Sequence, residues 1–150
     1  MADYLLIFIL IVALPMIGKQ CFIDTNVLLY LLSEDARKAD LAERLLSGSQ
    51  ISVQVLNEIA NVARRKLNMS WAEINEFLNL IRSLCSVQPL SIETHEHGCA
   101  IAERYGLSLY DAMIVAAAIL ADCQILYSED MQHGLHIYEQ LQIQNPFVEA

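Results

Sequence analysis

Two short apolar runs in this chain end abruptly in small polar and acidic residues. Cys21-Phe22-Ile23 runs into Asp24-Thr25-Asn26, and Cys123-Gln124-Ile125-Leu126-Tyr127 runs into Ser128-Glu129-Asp130. A buried central strand of a parallel α/β sheet delivers its last residue to the sheet's carboxyl edge in this way, and ligands bind at that edge. Between these runs the apolar spacing alternates between strand and helix. Residues 27–32 read as a short helix and 37–46 as a longer one. In the longer one Ala39, Leu41, Ala42, Leu45 and Leu46 make a one-sided stripe that Gly48 ends. Residues 51–53 read as a strand. Residues 55–66 read as a helix with Val55, Ile59, Val62 and Ala63 facing inward. Ser70-Trp71-Ala72-Glu73 has capping-box spacing and opens a helix to about Arg82. A strand over 85–90 and a helix over 91–105 follow. Residues 106–121 are apolar nearly all round, which predicts a deeply buried helix. A last short strand is expected at 141–143.

Residues 1–18 break the pattern. Residues 5–14 are unbroken apolar and then meet Pro15. A spanning helix needs about 20 apolar residues, more than this run supplies. Asp3 stands where a signal peptide carries basic residues. The stretch reads as a short membrane anchor, as an extra packed element, or as residues ahead of a working start at Met16. We take the last reading, with 19–150 as the working domain. As an anchor it would place Lys19 on its C-terminal side and favour a cytoplasmic domain.

Composition narrows the class. A chain of 150 residues, 55% hydrophobic and 18% charged, fits one compact domain with a sizeable core. A formal net charge of −9 argues against binding nucleic acid by bulk electrostatics. It leaves room for a nuclease whose acidic site is neutralised by a divalent metal. Cys21, Cys85, Cys99 and Cys123 form no C-x-x-C pair, so they read as free thiols in a reducing, cytoplasmic compartment, without disulfides or zinc. His95 and His97 lie two apart on a helix and face different ways, unlike a metal pair. No G-x-x-x-x-G-K-[ST] or G-x-G-x-x-G run supports a nucleotide-binding reading.

The acids carry the chemistry. Asp24 and Asp130 end strands, whereas Glu58 and Asp111 lie on helices that follow strands. Each has a plain structural alternative: Glu58 as a surface charge on the flank of an apolar stripe, Asp111 as the partner of Ser108 in a capping box, Asp130 or Ser128 as a cap. An acid heading a fully buried helix nevertheless costs stability unless something pairs it. Four acids brought together raise each other's pKa and call for a cation. Oxygen ligands without histidine suit Mg2+ or Mn2+. A metal held by carboxylates is equipped for phosphoryl transfer, activating a water that attacks the phosphate in line.

Four motifs, Phe22-Ile23-Asp24-Thr25-Asn26, Asn57-Glu58-Ile59-Ala60, Tyr110-Asp111-Ala112 and Ser128-Glu129-Asp130, make residues 20–148 resemble a PIN domain. Within that group the chain is similar to the VapC ribonuclease toxins of bacterial VapBC toxin–antitoxin pairs. The resemblance implies a three-layer α/β/α fold with a central parallel sheet flanked by helices. It implies cleavage of RNA, a cognate antitoxin that covers the site, and a homodimer. By position Asp24, Glu58, Asp111 and Asp130 become the catalytic acids that bind Mg2+ or Mn2+. Ser128 stands where the family often has Thr. The apolar extension is not a family feature, and Glu129 beside Asp130 leaves open which acid faces the metal. For RNA, the visible cations are Arg64 to Lys66 and the Arg37-Lys38 pair. Two alternatives stay open. One is a metal-dependent phosphatase of the haloacid dehalogenase type, which wants a second Asp where Asn26 stands and a catalytic Lys setting that the chain lacks. The other is a non-catalytic PIN-like module that binds a partner protein.

Overall fold

Strands only three residues long can anchor a fold when both of their faces are covered. Alternate residues of a strand point to opposite faces, and all three residues of β1 (Cys21–Ile23) are buried. The computed structural model describes residues 20–148 and places β1 inside a six-stranded sheet. The segment read as an anchor or as residues ahead of a working start, together with Lys19, lies outside the described residues. β1 pairs in parallel with β2 (Gln50–Ser52) on one side and β4 (Ile125–Tyr127) on the other. Phe22 lies opposite Gln50 and Leu126. β3 (Ser86–Gln88) extends the sheet beyond β2, and β6 (Leu141–Gln144) extends it beyond β4. The edge strand, β5 (His136–Ile137), pairs antiparallel with β6, giving the order β3-β2-β1-β4-β6-β5.

The helices are α1 (Thr25–Leu29), continued by a 3₁₀ turn at Tyr30–Leu32, then α2 (Ala36–Leu46), α3 (Val53–Arg65), α4 (Trp71–Leu84), α5 (Ile92–Tyr105) and α6 (Leu109–Leu120). They flank a mostly parallel sheet, as the alternation of apolar patterns predicts. Among the described residues no helix is long and apolar enough to cross a membrane. Side-chain caps set the helix starts. Asp35 opens α2, Ser52 opens α3, and Ser70 with Glu73 forms the expected capping box of α4. α3 therefore begins two residues earlier than the periodicity predicts and takes in Val53. The expected helix over 106–121 is shorter, because Gly106 ends α5 in the left-handed region (φ 68°) and Ser108 caps α6. Residues Ala112 to Ala118 of α6 are all buried, as an all-round apolar helix requires.

The β5–β6 hairpin is a departure from a purely parallel sheet. Its turn places Tyr138 and Glu139 at positive φ (50° and 56°), where Gly or Asn is usual. Tertiary contacts hold it there: the Tyr138 N–H donates to the Tyr105 hydroxyl at 2.9 Å, and the two rings meet edge-on at 5.6 Å. Cys21, Cys85, Cys99 and Cys123 form no disulfide. Cys21, Cys85 and Cys123 are buried, and burial pushes the Cys85 and Cys123 thiols up to about 12. Cys99, His95 and His97 are exposed on α5.

α5 and α6 approach closely at Gly98. A Cβ there would stand 2.7 Å from Met113 Sδ and 3.4 Å from Met113 Cα. The thioether can swing aside, whereas Cα moves only with the helix. Gly98→Ala is expected to stay within about 1 kcal/mol of wild type, since the gain in helix propensity offsets the displaced thioether. Gly98→Val adds bulk beside the α6 backbone and is expected to lose about 1–3 kcal/mol in urea denaturation. Equal stability of the two variants would refute this packing account.

Candidate active site

Strand order reverses between β1 and β4. The chain leaves β1 for β2 and β3 on one side, and the later strands β4 and β6 build the other. Such a switch point opens a crevice at the carboxyl ends of the two strands. Asp24 follows β1 directly, and Ser128-Glu129-Asp130 follows β4. The Asp24 N–H donates to Tyr127 O at 2.9 Å, tying the two strand ends together.

The Asp24 side chain is buried in the floor of this crevice. Its Oδ1 accepts from the Thr25 N–H at 2.7 Å, and its Oδ2 accepts from Ser128 Oγ at 2.8 Å and Asn26 Nδ2 at 3.0 Å. Loss of solvent is the largest influence and pushes its pKa up to about 7. The bonds from Ser128 and Thr25 act the other way, and the negative charges of Asp111 and Glu58 add to the rise. Glu58 projects from α3 and is oriented by two donors. Thr25 Oγ1 donates to its Oε2 at 2.6 Å and Gln54 Nε2 to its Oε1 at 2.9 Å. Asp111 lies in the first turn of α6, where the helix terminus favours a carboxylate. Its own N–H donates to Ser108 Oγ at 3.3 Å, one of the two bonds of a capping box. Burial raises the Asp111 pKa, the Ser108 hydroxyl beside its carboxylate opposes this, and Glu58 and Asp130 raise it further. The four acids therefore share one electrostatic field. Asp24 responds to Glu58 and Asp111, and Asp111 responds to Glu58 and Asp130. Asp130 itself is exposed.

Glu129 turns away from this group. Its Oε2 accepts from Lys38 Nζ at 2.7 Å and its Oε1 from the Tyr30 hydroxyl at 2.5 Å. Burial alone would raise the Glu129 carboxyl, but these two donors outweigh it and hold the pKa below the usual range.

A family model described as PIN domain matches residues 21–134. The chain belongs to the PIN domain family. Solved structures with this fold include a toxin–antitoxin complex from Klebsiella pneumoniae, with a TM-score of 0.66 and 21% identity over 85% of this chain and 98% of that one. VapC20 of Mycobacterium tuberculosis, a sarcin–ricin loop cleaving toxin, gives a TM-score of 0.61 and 20% identity over 74% and 90% of the two chains. VapBC2 from Rickettsia felis, bound to a DNA fragment from its promoter, gives 0.54 and 20% over 72% and 86%. No curated protein matches the chain.

In this PIN domain the donor set suits a hard cation, because the acids that feel one another offer only oxygen. Among the described residues, no three His, Cys, Asp or Glu side chains converge closely enough to enclose an ion by themselves. Mg2+ does not require that. It dehydrates reluctantly and is ordinarily held by one or two carboxylates, with water and substrate phosphate completing its shell. The mutually repelling carboxylates, with Asp24 buried among them, fit such an ion by charge and by donor type.

Several contributors escaped the sequence reading. Thr25 and Gln54 orient Glu58, and Gln54 could have been found by its i, i+4 spacing to Glu58 on one helix. Tyr30 and Lys38 meet Glu129 across 99 and 91 residues of chain, with no local signal. Lys38 of the Arg37-Lys38 pair, one of the cations visible for RNA, is held in an ion pair with Glu129.

The Asp24 shift has a stability consequence. An unfolded Asp titrates near about 3.9, so between about pH 4 and about 7 the folded chain holds the proton that the unfolded chain has released. Stability then falls as pH rises through that window. Metal-free protein is expected to melt at a lower temperature at about pH 7.5 than at about pH 5, and Asp24→Asn is expected to flatten this dependence. Parallel pH profiles for the two proteins would refute it.

Proposed function

We propose that this PIN domain is a Mg2+- or Mn2+-dependent endoribonuclease that hydrolyses RNA phosphodiester bonds as the toxin of a type II toxin–antitoxin pair. The observation that carries the reading is the buried Asp24 carboxylate at the switch point, raised by burial and by Asp111 and Glu58. A protein gains nothing structurally from a crowded, desolvated acid, whereas a cation-dependent site needs one.

Asp24, Asp111 and Asp130, with Glu58 beside them, are the residues that would hold the metal. A bound Mg2+ or Mn2+ would supply Lewis acidity toward the phosphate oxygens and toward an attacking water. The chain's own residues set the stage for that chemistry. Ser128, Asn26 and the Thr25 N–H fix the Asp24 oxygens, and Thr25 Oγ1 and Gln54 fix Glu58. α6 holds Asp111 on a helix that its buried neighbours keep from shifting. The basic run Arg64 to Lys66 ends α3 about two turns beyond Glu58, so phosphate recognition falls to the site itself and to cations near it.

RNA is the substrate class implied by the resemblance to ribonuclease toxins, and one relative of the same fold is a sarcin–ricin loop cleaving toxin. A protein antitoxin is supported by the toxin–antitoxin complex among those relatives. Leu109 and Tyr110, 44% and 64% exposed beside Asp111, give such a partner an apolar foothold at the rim. A homodimer is part of the same reading.

The test is RNA cleavage by the full chain with Mg2+ or Mn2+ and with chelator. Cleavage is expected only with metal, and Asp24→Asn is expected to lower it by about a hundredfold or more. Folded protein that neither cuts RNA nor binds Mn2+ would overturn the nuclease reading in favour of a protein-binding module.

A further inference from the structure

Lys38 lies outside the acidic group, yet its surroundings are built with unusual care for a lysine. Its Nζ stands 2.7 Å from Glu129 Oε2 and 2.9 Å from the Tyr30 hydroxyl. It also lies 4.5 Å from the centre of the Tyr30 ring and 4.9 Å from that of Phe147, and these two rings meet edge-on at 4.9 Å. The ammonium is thus held by the 3₁₀ turn after α1, by α2, by the turn after β4 and by the C-terminal segment together. A surface ion pair of ordinary kind contributes little because its partners wander. Here the Tyr30 phenol and the Phe147 ring restrict the lysine, and its side chain keeps only 27% exposure.

Glu129 is bound at both ends. While its carboxylate meets Lys38 and Tyr30, its backbone N–H donates to Asn26 Oδ1 at 3.1 Å. Asn26 in turn donates through Nδ2 to Asp24 Oδ2 at 3.0 Å. The residues either side of Glu129 are both engaged with the acidic group: Ser128 bonds Asp24, and Asp130 is felt at Asp111. The clasp thus ties the turn that carries Ser128 and Asp130 to α2 and to the 3₁₀ turn, and its strength depends on the opposite charges of Lys38 and Glu129.

We propose that Lys38 is a positioning residue that clasps Glu129 outside the acidic group and so fixes the turn presenting Ser128 to Asp24 and Asp130 to Asp111. Outer residues that orient metal ligands are worth about 10- to 100-fold in metal affinity or activity, and Lys38 acts through one further residue, which places it at the lower end. The inference rests on the nuclease reading for its activity measurement and on the acidic group alone for its binding measurement.

The test uses the full chain as wild type, Lys38→Met, Lys38→Arg and Glu129→Gln, with folding checked by circular dichroism and cooperative melting. Mn2+ affinity is read by calorimetry, and RNA cleavage is read as kcat and KM. Lys38→Met is expected to weaken Mn2+ binding about tenfold and to lower kcat with KM little changed. Lys38→Arg, which keeps the charge, is expected to recover most of both. Glu129→Gln is expected to weaken Mn2+ binding as Lys38→Met does, and the double variant to be no worse than either, because both cut one clasp. It also carries the test if Lys38→Met fails to fold. Folded Lys38→Met or Glu129→Gln with wild-type Mn2+ affinity would overturn the inference. Wild type that binds Mn2+ without cutting RNA would overturn the nuclease reading alone, with the clasp still judged on affinity. Wild type that binds no Mn2+ would overturn both.

Discussion

A carboxylate buried at the meeting of two strand ends governs this structure. Removing Asp24 from water disfavours its charge, and three hydrogen-bond donors do not fully offset that cost. The group must therefore take up a proton or meet a cation. Each side chain that steadies it has a second task. Thr25 gives its N–H to Asp24 and its hydroxyl to Glu58. Asn26 donates to Asp24 and accepts from the Glu129 N–H. Ser128 donates to Asp24 and accepts from the Met131 N–H at 3.2 Å. The site is a single network rather than a set of independent ligands, and disturbing one member propagates to the others.

The fold supplies rigidity where that network needs it. β1 is buried on both faces, and the α6 residues behind Asp111 are buried on all sides. Each large apolar side chain in such a core contributes about 1.5–3 kcal/mol, so the backbone that carries the acids has little freedom to relax away from their mutual repulsion. The core therefore bears that repulsion. Glu129 has been dealt with differently, by a lysine of its own.

Much of this was legible in the chain. Buried parallel strands read as continuous apolar runs, which exposed β1 and β4 together with the acids at their ends. The all-round apolar composition of α6 announced its burial and made Asp111 conspicuous. Ser70 and Glu73 marked the start of α4 by spacing alone. What was not legible depends on contacts distant in sequence. β5 has two residues and a turn without glycine or asparagine, so no local signal marks it; its turn is held by Tyr105 on another element. Whether Glu129 or Asp130 faces the acidic group could not be read from adjacent residues of like charge. Their different surroundings follow from Lys38 and Tyr30, brought there by folding. The small shifts at helix ends have a simpler cause: side-chain caps, not apolar periodicity, decide where a helix begins.

The strand order also sets a schedule. β1 is made well before its neighbour β4 and the β6 strand that pairs with β4. The bond from Ser128 to Asp24 spans 104 residues. During synthesis β1 emerges first and waits for its partners, so Asp24 and Glu58 are made before the residues that complete the acidic group. A growing chain therefore carries no finished acidic group until β4 and β6 have left the ribosome. The bond from Ser128 that steadies the Asp24 carboxyl and the burial that lifts it come only with the pairing of β1 and β4.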